Sequence, residues 1–187
     1  MHGYSEMVSL SDSTVSLLGS GTVYQKTKES TTNKKQGDPM NYLSVPVDFG
    51  PVEAARKRLE EHLGVLLQHR GEAHITVLSP KETRAIQDRN PNFIRHVQDI
   101  TASAPWEIVG VGEAKEDNAH AFFFVVKSNT LQVVRRAFRH VAPEWYDPAA
   151  QDFHITIGFI GKDDFPPAGG KGVNSINQEL STLVLGK

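Results

Sequence analysis

The stretch His154-Ile155-Thr156-Ile157 repeats a pattern that occurs 80 residues earlier as His74-Ile75-Thr76-Val77. A single histidine placed two residues before a threonine carries little weight in a chain with eight histidines. A second copy that also matches at isoleucine and at the aliphatic position is much rarer. The pattern therefore indicates an internal duplication.

The residues around both copies predict the same order of elements: a strand, an amphipathic helix and a second strand that carries the motif. Without gaps, the 80-residue shift aligns Tyr42-Leu43-Ser44-Val45 with Phe122-Phe123-Phe124-Val125. Apolar residues at helical spacing follow in each half. They are Val52, Ala55, Leu59, Leu63 and Leu66 in the first half, and Leu131, Val134, Phe138 and Val141 in the second. The duplication predicts two pseudo-symmetric lobes that face each other.

Further elements can be placed between and after the two halves. Ser79-Pro80-Lys81-Glu82 has the pattern of a capping box with proline at the first helical position. Asn90-Pro91 interrupts the helix that starts there, and the segment from Trp106 to Gly112 predicts a strand. Asn129 is expected to cap the helix of the second half. The segment from Leu180 to Leu185 is expected to form a last strand.

Composition limits the classes of protein to which the chain can belong. Of its 187 residues, 39% are hydrophobic and 22% charged, with a net charge of −2, so no overall basic field attracts nucleic acid. The absence of cysteine excludes disulfides and thiolate metal sites. The sequence shows no signal peptide, membrane span or glycosylation sequon, which predicts a cytoplasmic or nuclear location.

The polar composition of the first residues separates them from the rest of the chain. We expect a mobile N-terminal extension over residues 1–38, because such a segment cannot bury enough apolar surface to offset its ordering entropy. Within it, residues 14–25 are expected to form a hairpin. Residues 39–187 are expected to form a single bilobal domain.

The repeated motif has the side chains needed for acid–base chemistry on a phosphate. Along a strand the side chains alternate, so the histidine and threonine of each copy point to one face and the two aliphatic residues to the other. If both polar faces meet in one cleft, one neutral imidazole can take a proton while a charged one donates a proton. Threonine hydroxyls can donate hydrogen bonds to the phosphate oxygens. This chemistry needs neither a metal ion nor a cofactor.

A zinc site is the alternative for paired histidines. It would need a third ligand and supporting partners around the ligands. Neither the His-Glu-x-x-His pattern nor the Cys-x-x-Cys pattern occurs in the chain, so the sequence favours a site without metal.

Together, two His-x-Thr motifs on strands, one in each lobe of an α+β domain, resemble the 2H phosphoesterase superfamily. The resemblance covers roughly residues 40–165, and that group includes RNA 2′,3′-cyclic phosphodiesterases and so-called 2′-5′ RNA ligases. It implies a bilobal α+β fold with two antiparallel-sheet lobes, helices outside and a central cleft. It also implies that His74 and His154 are the catalytic acid–base pair and that Thr76 and Thr156 bind phosphate.

Four other residues are candidates for contact with the substrate. Lys81 and Lys162 follow the two motif strands and either attract phosphate at the mouth of the cleft or are solvated loop lysines. Trp145 and Tyr146, in a predicted loop, are candidates for stacking on a base. The segment 169–172 lacks the spacing of a phosphate-binding loop and is interpreted as a flexible turn.

The expected function is metal-independent hydrolysis of a 2′,3′-cyclic phosphate on a nucleotide or a short RNA. The expected partner is therefore that nucleotide or RNA end, with no membrane, and the protein is expected to be a monomer. The alternative is a non-catalytic protein that binds nucleotides or RNA ends and keeps the same fold.

Overall fold

The computed structural model of the protein describes residues 42–146, 152–162 and 170–186. The predicted N-terminal extension and its hairpin lie outside the described residues. Within them, the chain forms five β-strands and five α-helices. The strands are β1 (Leu43–Val47), β2 (Ala73–Leu78), β3 (Glu107–Glu116), β4 (Ala119–Lys127) and β5 (Phe153–Ile160). The helices are α1 (Phe49–Leu63), α2 (Pro80–Arg89), α3 (Pro91–Ala102), α4 (Asn129–Val141) and α5 (Gln178–Leu185).

The described strands form two antiparallel sheets, one in each half of the molecule. Strands β1 and β2 pair in the first sheet, and the second has the order β3-β4-β5. The first half therefore runs β1-α1-β2 and the second β4-α4-β5, with β3 added at the edge of the second sheet. This confirms the predicted α+β fold and the predicted repetition of strand, helix and motif strand.

The pairing of the strands corrects the ungapped alignment of the two halves. His74 lies opposite Pro46, and His154 lies opposite Val125, so the first strands correspond at a shift of 79 residues while the motif strands correspond at 80. The second half has one more residue between its paired strands. A slip of one residue would turn every side chain of a strand to the other face. The corrected register therefore decides which side chains of β1 and β4 are equivalent.

Both motif strands carry the same irregularity. The pairing register shifts directly after the threonine of the motif, so that Val77 of β2 and Ile157 of β5 are the extra residues of two bulges. A bulge bends its strand and changes the direction of the neighbouring side chains. The duplication thus includes a local distortion as well as the regular elements.

One hydrophobic core extends through both halves. It contains the aliphatic residues of both motifs together with side chains from helices α1, α2 and α4. The motif residues are Ile75, Val77, Ile155 and Ile157, each at most 1% exposed. Helix α1 packs against β5 and helix α4 packs against β2. Each half therefore places its helix against the motif strand of the other half.

Helix ends follow the capping signals of the sequence in most places. The capping box at the start of α2 is confirmed: the Ser79 hydroxyl accepts from the Glu82 backbone N–H, and the Glu82 carboxylate accepts from the Ser79 N–H at 2.8 Å. Helix α4 is capped by Ser128 rather than by Asn129, as its hydroxyl accepts from the Leu131 N–H at 3.2 Å. Asn129 instead occupies the first helical position.

Two predictions about apolar segments are wrong. Helix α1 ends at Leu63, where Gly64 adopts a left-handed conformation (φ 69°), so Leu66 lies beyond the helix and is 86% exposed. The segment from Leu180 to Leu185, expected to be a strand, belongs to helix α5. Leu180 and Val184 are buried at a spacing of four residues, which matches one helical face.

Candidate active site

The two motif strands, β2 and β5, lie next to each other, and each buries the aliphatic residues of its own motif. Strands β2 and β5 are in contact, and their aliphatic residues enter the same core. The other face of each strand carries the half-buried polar residues of the motif. They are His74 and Thr76 on β2, and His154 and Thr156 on β5. The four polar side chains therefore lie on the sides of β2 and β5 that face away from the core.

Each motif histidine packs against an aromatic ring. The ring centroid of His74 lies 5.3 Å from that of Tyr42, which directly precedes β1. The centroid of His154 lies 5.9 Å from that of Phe123 on β4, and the rings meet edge to face at 69°. Phe123 is completely buried. Both imidazoles therefore pack against an aromatic ring.

A carboxylate approaches one of the two imidazoles. Glu72 Oε1 lies 3.9 Å from His74 Nδ1, just before the start of β2. The His74 side chain is 21% exposed, whereas that of Glu72 is 59% exposed. The His74 ring therefore packs near Tyr42 and has the mostly exposed carboxylate of Glu72 at 3.9 Å.

A lysine that the sequence did not single out joins the second motif. Lys171 belongs to the segment expected to be a flexible turn, and its Nζ atom lies 3.5 Å from Thr156 Oγ1. Within the described part of this segment, the Gly170 and Gly172 carbonyls accept hydrogen bonds from Ser175. The only sequence signal for Lys171 was a basic residue in a glycine-rich stretch after the second motif strand.

Lys81 and Trp145 lie together, but in a different place from the four motif residues. They line a surface cavity of about 480 Å³ with Pro80, Arg84, Ala85, Asp88 and Arg89. Helix α2, which supplies Lys81, also contributes Ile86 to the core. None of the four motif residues lines this cavity. Trp145 is 48% exposed within this setting.

The other two substrate candidates contact neighbours within the protein. Lys162 Nζ lies 2.7 Å from Glu116 Oε2, and both side chains are about half exposed. The Tyr146 ring packs on Phe138, with a centroid distance of 6.4 Å, and the guanidinium of Arg139 stands 5.6 Å from its centroid. Tyr146 belongs to the edge of the core rather than to an open loop.

A second cluster of ionisable groups lies apart from the motif residues. His120 Nε2 and Glu113 Oε2 are 2.8 Å apart, and Asn177 donates to the other oxygen of Glu113 at 2.9 Å. Burial lowers the pKa of His120, an effect that the contact with Glu113 only partly offsets. Burial alone would raise the pKa of Glu113. The hydrogen bonds from Asn177 and Lys115 and the contact with His120 have a larger effect, so the pKa of Glu113 is lowered overall.

Residues 42–146, 152–162 and 170–186 contain no group of three or more histidines or carboxylates arranged to hold a metal ion. No helix in the same ranges has the length and apolar character of a membrane span.

Comparison with known proteins identifies the family. The family model described as "Swiss Army Knife, 2H phosphoesterase domain" matches residues 41–165. No match is found among curated proteins or among solved structures. The matched segment spans well over half of the chain and contains both motif strands together with their partner strands. The chain therefore belongs to the 2H phosphoesterases, in the group described as the Swiss Army Knife domain.

Proposed function

We propose that the protein is a phosphodiesterase that opens the 2′,3′-cyclic phosphate of a nucleotide or an RNA end. The observation that supports it best is the placement of two His-Thr pairs on neighbouring strands that turn their aliphatic residues into one core. Membership of the 2H phosphoesterases agrees with this chemistry. Both motifs come from one chain, so we propose that a monomer, with a single bilobal domain over residues 39–187, is sufficient.

The proposed reaction is a direct attack of water on phosphorus. One neutral imidazole, from His74 or His154, takes a proton from the attacking water. The charged imidazole of the other histidine gives its proton to the ribose oxygen as the P–O bond to that oxygen breaks. The product is a ribose phosphate monoester, and the two histidines have exchanged protonation states.

The two threonines are proposed to hold the phosphate during this reaction. The hydroxyls of Thr76 and Thr156 lie two residues after the histidines on the same strand faces, and each can donate a hydrogen bond. Donors that point to the non-bridging oxygens stabilise the negative charge that increases in the transition state. No step of this mechanism uses a metal ion.

Two of the remaining candidates are proposed to bind parts of the substrate away from the phosphate. Lys81 and Trp145 combine a cation and an exposed indole in one cavity, which suits a nucleotide of an RNA beyond its terminal residue. Lys162 and Tyr146 are less suitable, because Glu116 contacts the first and Arg139 covers the second.

The test is turnover of a 2′,3′-cyclic nucleotide in the presence of a chelator. We expect activity to persist, and His74→Ala and His154→Ala to lower kcat by about 10²–10⁴-fold each, the usual effect of losing an acid or a base. His140→Ala is the matched control, because His140 is an exposed histidine near the end of α4. It should behave like the wild type.

Other outcomes would assign the protein differently. Activity that disappears with chelator and returns with zinc would contradict the metal-free mechanism. Full activity of either motif variant would contradict the assigned roles. A nucleotide that binds but stays unchanged would identify the protein as a non-catalytic member of the family that binds nucleotides or RNA ends.

A further inference from the structure

The contact between Lys171 and Thr156 connects a loop to the second motif. Lys171 follows the end of β5 by 11 residues, and its ammonium group lies 3.5 Å from the Thr156 hydroxyl oxygen. Its side chain is half-buried. This contact can contribute to a site only if the loop holds Lys171 in place.

The residues just after Lys171 are attached to the start of the motif strand. The Val173 N–H donates to Asp152 Oδ2 at 3.1 Å, and Asp152 directly precedes β5. Gly172 passes so close that a Cβ atom there would lie 2.3 Å from the same carboxylate oxygen. On the C-terminal side of Lys171, the loop is therefore attached to the start of β5, the strand that carries His154.

The loop is also attached to the edge of the second sheet. The Ser175 hydroxyl donates to the Gly170 carbonyl at 2.5 Å, and the Asn177 N–H donates to the Val111 carbonyl of β3 at 2.9 Å. Ile176 bridges to Gly112 on the same strand. Hydrogen bonds thus hold the backbone at Gly170 and at Val173, on either side of Lys171, and the ammonium group lies 3.5 Å from Thr156 Oγ1.

We propose that Lys171 completes the phosphate-binding site of the second motif, a proposal that rests on the function proposed above. An ammonium group can only donate hydrogen bonds, so the Thr156 oxygen must accept this one. The hydroxyl hydrogen of Thr156 is then directed elsewhere, as donation to a phosphate oxygen requires. Lys171 positions Thr156 as a donor and places a positive charge beside the same oxygen.

The charge matters most in the transition state. A phosphodiester carries one negative charge, and a second develops as water adds to phosphorus. A fixed cation that is half-buried interacts with this charge more strongly than a solvated surface lysine would. Lys171 should therefore contribute more to kcat than to KM.

The experiment compares Lys171→Met with Lys171→Arg and Lys57→Met. Methionine keeps much of the aliphatic length but removes the charge, while arginine keeps the charge. Lys57 pairs with Glu53 on α1 and is 67% exposed, so Lys57→Met removes one charge away from the site. With 2′,3′-cyclic AMP we expect Lys171→Met to lose on the order of 10–100-fold, mainly in kcat. Lys171→Arg and Lys57→Met should retain most of the activity.

A second measurement does not depend on turnover. Inorganic phosphate is titrated into each variant by calorimetry, and Lys171→Met should weaken its binding about fivefold or more, whereas Lys57→Met should leave it unchanged. If the wild type fails to cleave the cyclic nucleotide but shows this binding pattern, the proposed function is wrong while the assignment of Lys171 stands. Phosphate binding that is identical in Lys171→Met and the wild type overturns the assignment.

A double-mutant cycle tests whether Lys171 acts through Thr156. If the ammonium group positions the hydroxyl, Lys171→Met should lose much less kcat in a Thr156→Val background than in the wild type, because the group that it positions is already absent. Equal losses in both backgrounds would overturn the positioning role. Thermal unfolding of all variants shows whether any loss comes from unfolding.

Discussion

At the scale of single residues, His120 shows how burial controls a histidine that is not part of the repeated motif. Its ring stacks obliquely on Phe122 with a centroid distance of 4.0 Å and faces the carboxylate of Glu113. Burial lowers the pKa of His120 below its usual value of 6.5, and the neighbouring Lys115 acts in the same direction. The folded protein therefore binds a proton at His120 less tightly than the unfolded chain does.

The lowered pKa of His120 makes stability depend on pH. Between its folded pKa and 6.5, the unfolded chain binds a proton that the folded chain does not. This contribution to stability is complete above pH 6.5 and is lost as the pH falls through the folded pKa. We expect the free energy of unfolding, measured with urea between pH 7.5 and pH 5.5, to fall less in His120→Gln than in the wild type. Parallel pH dependence in both proteins would contradict this role of His120.

The residues of the repeated motif could be placed from the sequence, but Lys171 could not. Alternation along a strand is a local property, so the faces of His74 and Thr76 follow from their spacing. Lys171 reaches Thr156 only because Asp152 and the edge of β3 hold its loop. These are contacts between residues that are distant in sequence. No local pattern encodes them, and a glycine-rich segment is typical of mobile turns.

At the scale of elements, helix α5 shows why short apolar segments are ambiguous. Leu180 to Leu185 is consistent with a strand as well as with one helical face. The decision is made by Asn177, whose side-chain oxygen accepts from the Leu180 N–H at 3.1 Å and starts the helix. Ser181 then donates to the Asn177 carbonyl at 2.8 Å within the first turn. A capping residue just before an apolar segment was the signal that the strand prediction left out.

We expect Asn177→Ala to destabilise the protein by about 1–2 kcal/mol, the usual effect of removing a helix cap, and somewhat more because Glu113 also loses a donor. Asn177→Ser, which can still cap the helix but cannot reach Glu113, should lose less. Urea unfolding followed by circular dichroism measures both. If Asn177→Ser is as unstable as Asn177→Ala, the cap is not the main contribution of this side chain.

At the scale of the whole molecule, an ion pair joins the two halves through the core. Arg135 of α4 donates to the Val77 carbonyl on β2 at 3.1 Å and lies 2.9 Å from both carboxylate oxygens of Glu82 on α2. Arg135 is 2% exposed and Glu82 is 5% exposed. The second half thus contacts the first motif strand at its bulge and the capping box that follows it.

Because Arg135 and Glu82 are buried together, removing one should be much more harmful than removing both charges. Arg135→Met leaves a carboxylate in the core without its cation, which should destabilise the protein by about 3–5 kcal/mol. Arg135→Met combined with Glu82→Gln should recover part of this loss. Arg89→Met, which breaks the exposed pair with Glu144, should have a much smaller effect. Urea unfolding followed by tryptophan fluorescence measures all three, and equal losses in Arg135→Met and Arg89→Met would show that the buried pair does not hold the halves together.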